Sequence, residues 1–129
     1  METFITFAKE KSSIMKSPIN VFFMLEATEF IDSLPEKAKK KVVFNINRVR
    51  GGEMDPELFK KLGDTGIWEF RTLFNGTKYR LLSFWDKNTN SVVVATHGFI
   101  KKRQKTPKGE IDHAQALRIE YYKDKKEGI

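Results

Sequence analysis

The chain has 129 residues, enough for one domain with a proper core, and its 40% hydrophobic and 32% charged residues exclude a disordered chain or a membrane protein. Zero cysteines exclude a disulfide framework, thiol catalysis and Cys-ligated zinc, and two histidines, His97 and His113, are too few for a His-rich metal site. The net charge of +7 is the footprint of a chain that meets a polyanion, with a merely soluble lysine-rich surface as the alternative.

Residues 1–17 read as an N-terminal extension: Thr3 to Ala8 suits an extra strand, Lys9 to Ser17 is polar, and Met15 is a second candidate start. Glu2, Lys9, Glu10 and Lys11 break any apolar signal-peptide core, and no run reaches the roughly 18 apolar residues of a spanning helix. The cytoplasm is therefore the expected location. Residues 18–129 read as a single domain. Ile19 to Leu25 has the character of a buried strand, and Ala27, Phe30, Ile31 and Leu34 then recur at helical spacing. Ser33-Leu34-Pro35-Glu36 has the form of a capping box that opens a second helix. Its inner stripe is Ala38, Val42, Ile46 and Val49, and it stops at Gly51-Gly52. Lys37, Lys39, Lys40 and Lys41 stand at its start, the wrong end for the helix dipole. Asp55-Pro56-Glu57 suits a further short turn carrying Leu58, Phe59 and Leu62.

The period then changes to two. Ile67 to Phe74 and Thr77 to Trp85 flank Asn75-Gly76, a pair suited to the positive φ angles of a type I′ hairpin turn. A polar loop leads to a third strand, Val92 to Phe99, and the basic segment Ile100 to Lys105 follows. Thr106 as N-cap and Pro107 as first helical residue open a last helix with Ile111, Ala114, Leu117 and Tyr121 as its stripe. The order predicts an α+β sandwich: a small antiparallel sheet flanked by an N-terminal helical hairpin and a C-terminal helix.

If Asn75-Gly76 is a two-residue turn, Arg71 opposes Arg80 and Glu69 opposes Leu82. Alternation places Ile67, Glu69, Arg71, Leu73, Lys78, Arg80, Leu82 and Phe84 on one face, and Trp68, Phe70, Thr72, Phe74, Tyr79, Leu81 and Trp85 on the other, the core side. Two directly opposed arginines repel each other. Either a carboxylate such as Glu69 neutralises them in an ordinary network, or they hold a phosphate between two guanidinium forks. The stretch His97 to Lys108 carries five cations and no carboxylate. Such a segment tracks a phosphate backbone, with Phe99 as a stacking surface, or it is a solvated loop with Phe99 in the core. His97 is a structural histidine or the group that titrates near neutrality beside that loop, and His113 reads as a surface residue.

The run Leu62-Gly63-Asp64-Thr65-Gly66-Ile67-Trp68-Glu69-Phe70-Arg71, the following Tyr79-Arg80 strand, and His97-Gly98-Phe99-Ile100-Lys101-Lys102 with Lys105-Thr106-Pro107 and Glu110-Ile111 resemble the RelE/HigB superfamily of bacterial toxins, in its phage-derived, HigB-like branch. The resemblance runs from about Ile19 to Tyr122. It implies a RelE-like sandwich and a type II toxin, an endoribonuclease that cleaves messenger RNA on translating ribosomes. It also implies an antitoxin partner, commonly a helix-turn-helix protein of the HigA kind, and no cofactor.

With no metal motif in view, attack by the substrate's own 2′-OH is the natural route, and it needs a base, an acid and cations on the phosphorane. Arg71 and Arg80 are assigned to the phosphorane with Lys102 in support, and His97 or Glu69 to the base or acid. Lys78, Tyr79, Phe99, Lys101, Arg103 and Lys105 are read as RNA contacts. The rivals are a non-catalytic RNA-binding or ribosome-associated module, and a domain that binds only a protein through its basic surface.

Overall fold

The computed structural model describes residues 18–126, so the expectations for residues 1–17 lie outside the described residues. Asn75 and Gly76 both take positive φ, 49° and 78°, as the hairpin turn requires. This turn joins β3 (Trp68–Phe74) to β4 (Thr77–Trp85) in the expected register, with Arg71 opposite Arg80 and Glu69 opposite Leu82.

The remaining strands are β1 (Asn20–Phe23), β2 (Phe59–Lys61) and β5 (Val92–Lys101), in a five-stranded sheet of order β1-β5-β4-β3-β2. All pairs are antiparallel except β1 with β5, which run parallel. The expected short turn after Asp55 forms, but it ends at Phe59, where β2 begins. Leu58 and Phe59 close a turn onto the Asp55 carbonyl, and Phe59 then pairs with Phe70 and stacks on Trp68.

Two helices, α1 (Leu25–Asp32) and α2 (Glu36–Arg50), cover one face of the sheet. Ala27, Ile31, Ala38, Val42, Ile46 and Val49 pack there against Phe59, Phe70, Tyr79, Leu81, Val93 and Ala95. The third helix, α3 (Lys108–Lys126), crosses part of the opposite face, where Ala114 joins Ile67, Leu82, Phe84 and Val94. Asp86 fastens its far end: this buried carboxylate accepts from Tyr121 Oη at 2.6 Å and Lys125 Nζ at 3.0 Å. Among the described residues no helix is long and apolar enough to cross a membrane.

Two capping expectations are corrected. Ser33 does not cap α2, because its hydroxyl donates to the Phe30 carbonyl at 2.7 Å and closes α1 instead. Pro35 is the N-cap, and its carbonyl takes the first helical bond from Lys39. Thr106 does not cap α3 either. The Pro107 carbonyl accepts from Glu110 and Ile111, which frees the Thr106 hydroxyl for the site described next.

Candidate active site

Alternation along β3, β4 and β5 sorts side chains onto the two faces, and the face away from α1 and α2 collects the polar ones. Arg71 and Glu69 come from β3, Lys78 and Arg80 from β4, and His97, Phe99 and Lys101 from β5. Phe99 pairs with Arg80, Lys101 with Lys78, and His97 with Leu82. A β-bulge makes this set continuous with the core under α3. Leu82 pairs with His97 but Ser83 pairs with Ala95, so Thr96 is the extra residue and both Val94 and His97 reach the same face.

Glu69 is the centre of the arrangement. It is 1% exposed, and its Oε2 lies 3.5 Å from Arg71 Nε and 3.6 Å from Arg80 Nε. Its other oxygen accepts from the Thr106 hydroxyl at 2.8 Å. Arg71 also donates through Nη1 to the Pro56 carbonyl at 3.1 Å, and Arg80 through Nη1 to the Tyr79 carbonyl at 3.2 Å. Arg71 is the outer and Arg80 the inner of the pair, with 23% and 6% of their side chains exposed. Burial pulls the Arg80 guanidinium below its ordinary value against the pull of Glu69, and Arg71 adds to the lowering. It remains a cation, as arginine does in proteins. Lys101 is likewise held below its ordinary value, first by burial and then by Arg80, Arg71 and Lys78, while Glu69 opposes the shift.

His97 sits under the edge of α3 with both ring nitrogens engaged. Nε2 lies 2.8 Å from Glu110 Oε1 and Nδ1 lies 3.2 Å from Thr96 Oγ1. Its ring meets His113 edge-on at 4.5 Å, and His113 itself contacts Glu26 of α1 at 2.8 Å. His113 is exposed, as expected, but belongs to this network. Burial lowers the His97 pKa, with Glu110 opposing and His113 reinforcing it. Because the folded chain disfavours the imidazolium, stability is full above about 6.5 and falls as pH drops through the folded pKa below it. The unfolding midpoint of the wild type should therefore fall more steeply below that pH than that of His97→Gln, which differential scanning calorimetry measures.

The structure brings together Glu69, Arg71, Lys78, Arg80, His97, Phe99 and Lys101, all expected from the sequence. Phe99 is half-buried, with one side against the α3 cluster. Lys102, Arg103 and Lys105 are exposed at the end of β5 and in the loop to α3. Tyr79 is a correction: it lies on the opposite face, 8% exposed, packed in the core beneath α1 and α2. Lys37 to Lys41 stand on that far side too, and Lys39 pairs with Asp32 at 3.3 Å. Thr106 and Glu110 were not singled out for the site, since a Thr-Pro pair reads as a helix start and a glutamate in the first turn as a dipole partner.

The family described as "Phage derived protein Gp49-like (DUF891)" matches residues 29–118, a span that includes every site residue named above. The chain belongs to this family. None of the curated proteins matches it. Among solved structures, this Gp49-like chain is similar to the toxin–antitoxin complex RelBE2 from Mycobacterium tuberculosis, with 26% identity, a TM-score of 0.46, and coverage of 65% of this chain and 99% of that one. It is also similar to a doubly substituted mutant of the E. coli toxin RelE in the free state, with 14% identity, a TM-score of 0.52, and coverage of 79% of this chain and 98% of that one. The Gp49-like chain has the RelE fold.

Proposed function

We propose that this Gp49-like protein is the toxin of a type II toxin–antitoxin pair, an endoribonuclease that cuts messenger RNA on translating ribosomes in the cytoplasm. Its partner on this reading is a helix-turn-helix antitoxin of the HigA kind. The observation that carries the proposal is the gathering of Arg71, Lys78, Arg80 and Lys101 beside Phe99 on the sheet face that α3 leaves open. Cations in a partly desolvated site stabilise the charge that builds on a phosphorane more than they stabilise the ground-state phosphodiester. Phe99 offers a base one aromatic face, and Lys102, Arg103 and Lys105 follow the backbone of the strand.

In the proposed reaction the 2′ oxygen bonds to the adjacent phosphorus and the bond from phosphorus to the 5′ oxygen breaks. The products are a 2′,3′-cyclic phosphate and a 5′-OH. We assign Arg71 and Arg80 to the phosphorane. Lys101, whose depressed pKa makes its ammonium a stronger acid, donates to the leaving 5′ oxygen. His97 takes the 2′ proton once Glu110 swings away. Thr96 Oγ1 lies 3.2 Å from the Leu82 carbonyl as well as from Nδ1, so it is placed to accept from Nδ1–H and free the Nε2 lone pair. A non-catalytic RNA-binding or ribosome-associated module is the second reading. What favours it is the same network: Glu69 and both His97 nitrogens are fully engaged.

Purified protein on free RNA in EDTA, and on programmed ribosomes in the magnesium buffer that keeps them intact, with both new ends analysed, decides between them. The toxin reading expects cleavage on ribosomes with cyclic-phosphate and 5′-OH ends, and growth arrest on expression. Tight, salt-sensitive RNA binding with intact RNA gives the second reading instead. Neither binding nor cleavage removes both and leaves the protein-only partner.

A further inference from the structure

We propose that Glu69 is neither the acid nor the base of this site but a positioning residue, and that Thr106 is its latch. Together they aim the two arginines and tie the basic segment after β5 to them. The proposal rests on the ribonuclease reading for its kinetic consequences.

The geometry is that of a clamp. A single buried carboxylate oxygen faces the Nε of both arginines at 3.5 Å and 3.6 Å, and neither Nε has a hydrogen-bond partner. Each Nη1 is bound to a backbone carbonyl, of Pro56 or of Tyr79. Each planar guanidinium is thus held along one edge by Glu69 and at one corner by the main chain. Nη2 of each carries no hydrogen bond among the described residues and is the nitrogen left for a phosphate oxygen. The opposite oxygen of Glu69 is taken by Thr106, which immediately follows Lys102 to Lys105. A carboxylate this buried, with both oxygens directed at protein groups, has no path to a 2′-OH.

Glu69 works against affinity, since its negative charge weakens the attraction of the arginines for any phosphate. A site built only to bind RNA gains by replacing it. Its benefit lies in orientation, because donors preset toward the developing phosphorane need no reorganisation during the reaction. Binding and turnover therefore respond in opposite directions when it is neutralised.

The test uses Glu69→Gln, Thr106→Val and Thr106→Ser in the full chain. Three readouts are taken: single-turnover cleavage against pH, affinity for an uncleavable oligonucleotide with a 2′-deoxy residue at the cut, and the Nε–H signals of Arg71 and Arg80 by NMR. Glu69→Gln is expected to lower kcat by about 10- to 100-fold while the deoxy oligonucleotide binds more tightly, and the residual rate keeps the wild-type pH profile. Thr106→Val shows a smaller loss of about 3- to 10-fold, Thr106→Ser restores the rate, and the Nε–H signals of Arg71 and Arg80 shift with Glu69→Gln. Loss of the acid limb of the pH profile in Glu69→Gln overturns the proposal in favour of a base, and so does weaker oligonucleotide binding or unchanged Nε–H signals. Wild-type protein that cuts no RNA defeats the ribonuclease reading alone. The Nε–H signals and the direction of the affinity change then decide the clamp on their own.

Discussion

Arg80→Ala is expected to slow cleavage of ribosome-bound RNA by about 100- to 1000-fold in single turnover, the usual effect of removing one preset donor from a developing oxyanion. Arg80 is the inner arginine, 5% exposed, between Arg71 and Phe99 in register. Water that replaces it is poorly placed and must reorganise as charge builds. Arg71→Ala should cost less, because its more exposed position admits solvent and Arg80 remains. The double substitution should fall well short of the product of the two, since both groups act on one phosphorane. Arg80→Ala also leaves Glu69 buried with one cation fewer, so the fold loses stability along with activity. Glu69→Gln in the Arg80→Ala background separates the effects: thermal melting should recover while cleavage stays slow. Recovery of both would mean that Arg80 serves the fold and not the reaction.

The part of this site that could be read in the sequence depends on one turn. Asn75-Gly76 fixes a two-residue loop, and a fixed loop fixes register, so the opposition of Arg71 and Arg80 and the face shared with Glu69 followed by counting. The two readings offered for opposed arginines, neutralisation by Glu69 or a phosphate between them, describe compatible features of one arrangement. Glu69 offsets one of the two positive charges, and on the positioning role proposed above that same contact aims both arginines. What could not be read depends on distant partners. β2 is three residues long and exists because Phe59 finds Phe70, Trp68 and Trp85, which no local pattern announces. β1 read as a buried strand, but it is a partly exposed edge strand with Asn20 and Phe22 open to solvent, and its parallel pairing with β5 depends on the path of the helical hairpin between them. The bulge at Thr96 shifts alternation within β5, so counting back from His97 puts Val94 on the wrong face. Ser33 and Thr106 carried capping signatures, yet their hydroxyls had better acceptors close by: the Phe30 carbonyl for one, and a buried carboxylate from β3 for the other.

Gly98→Ala should be among the most destabilising single changes outside the site. The glycine occupies β5 between His97 and Phe99, opposite Leu81, and points at the helical layer. A Cβ there would stand 2.1 Å from Phe30 Cδ2 and 2.5 Å from its Cγ and Cε2. The Cγ contact matters most, because turning the ring about its own axis does not move that atom. Phe30 must leave its rotamer or α1 must lift off the sheet, and such overpacking costs typically about 1–3 kcal/mol. A lifted α1 also disturbs Glu26 and, through His113, the packing beside His97. Urea unfolding should show a lower midpoint. Phe30→Ala removes the Cγ atom, so the Phe30→Ala/Gly98→Ala pair should cost well under the sum of the two single changes, a coupling that a double-mutant cycle measures. Independent, additive costs would mean that the close approach of Phe30 is not what requires glycine here.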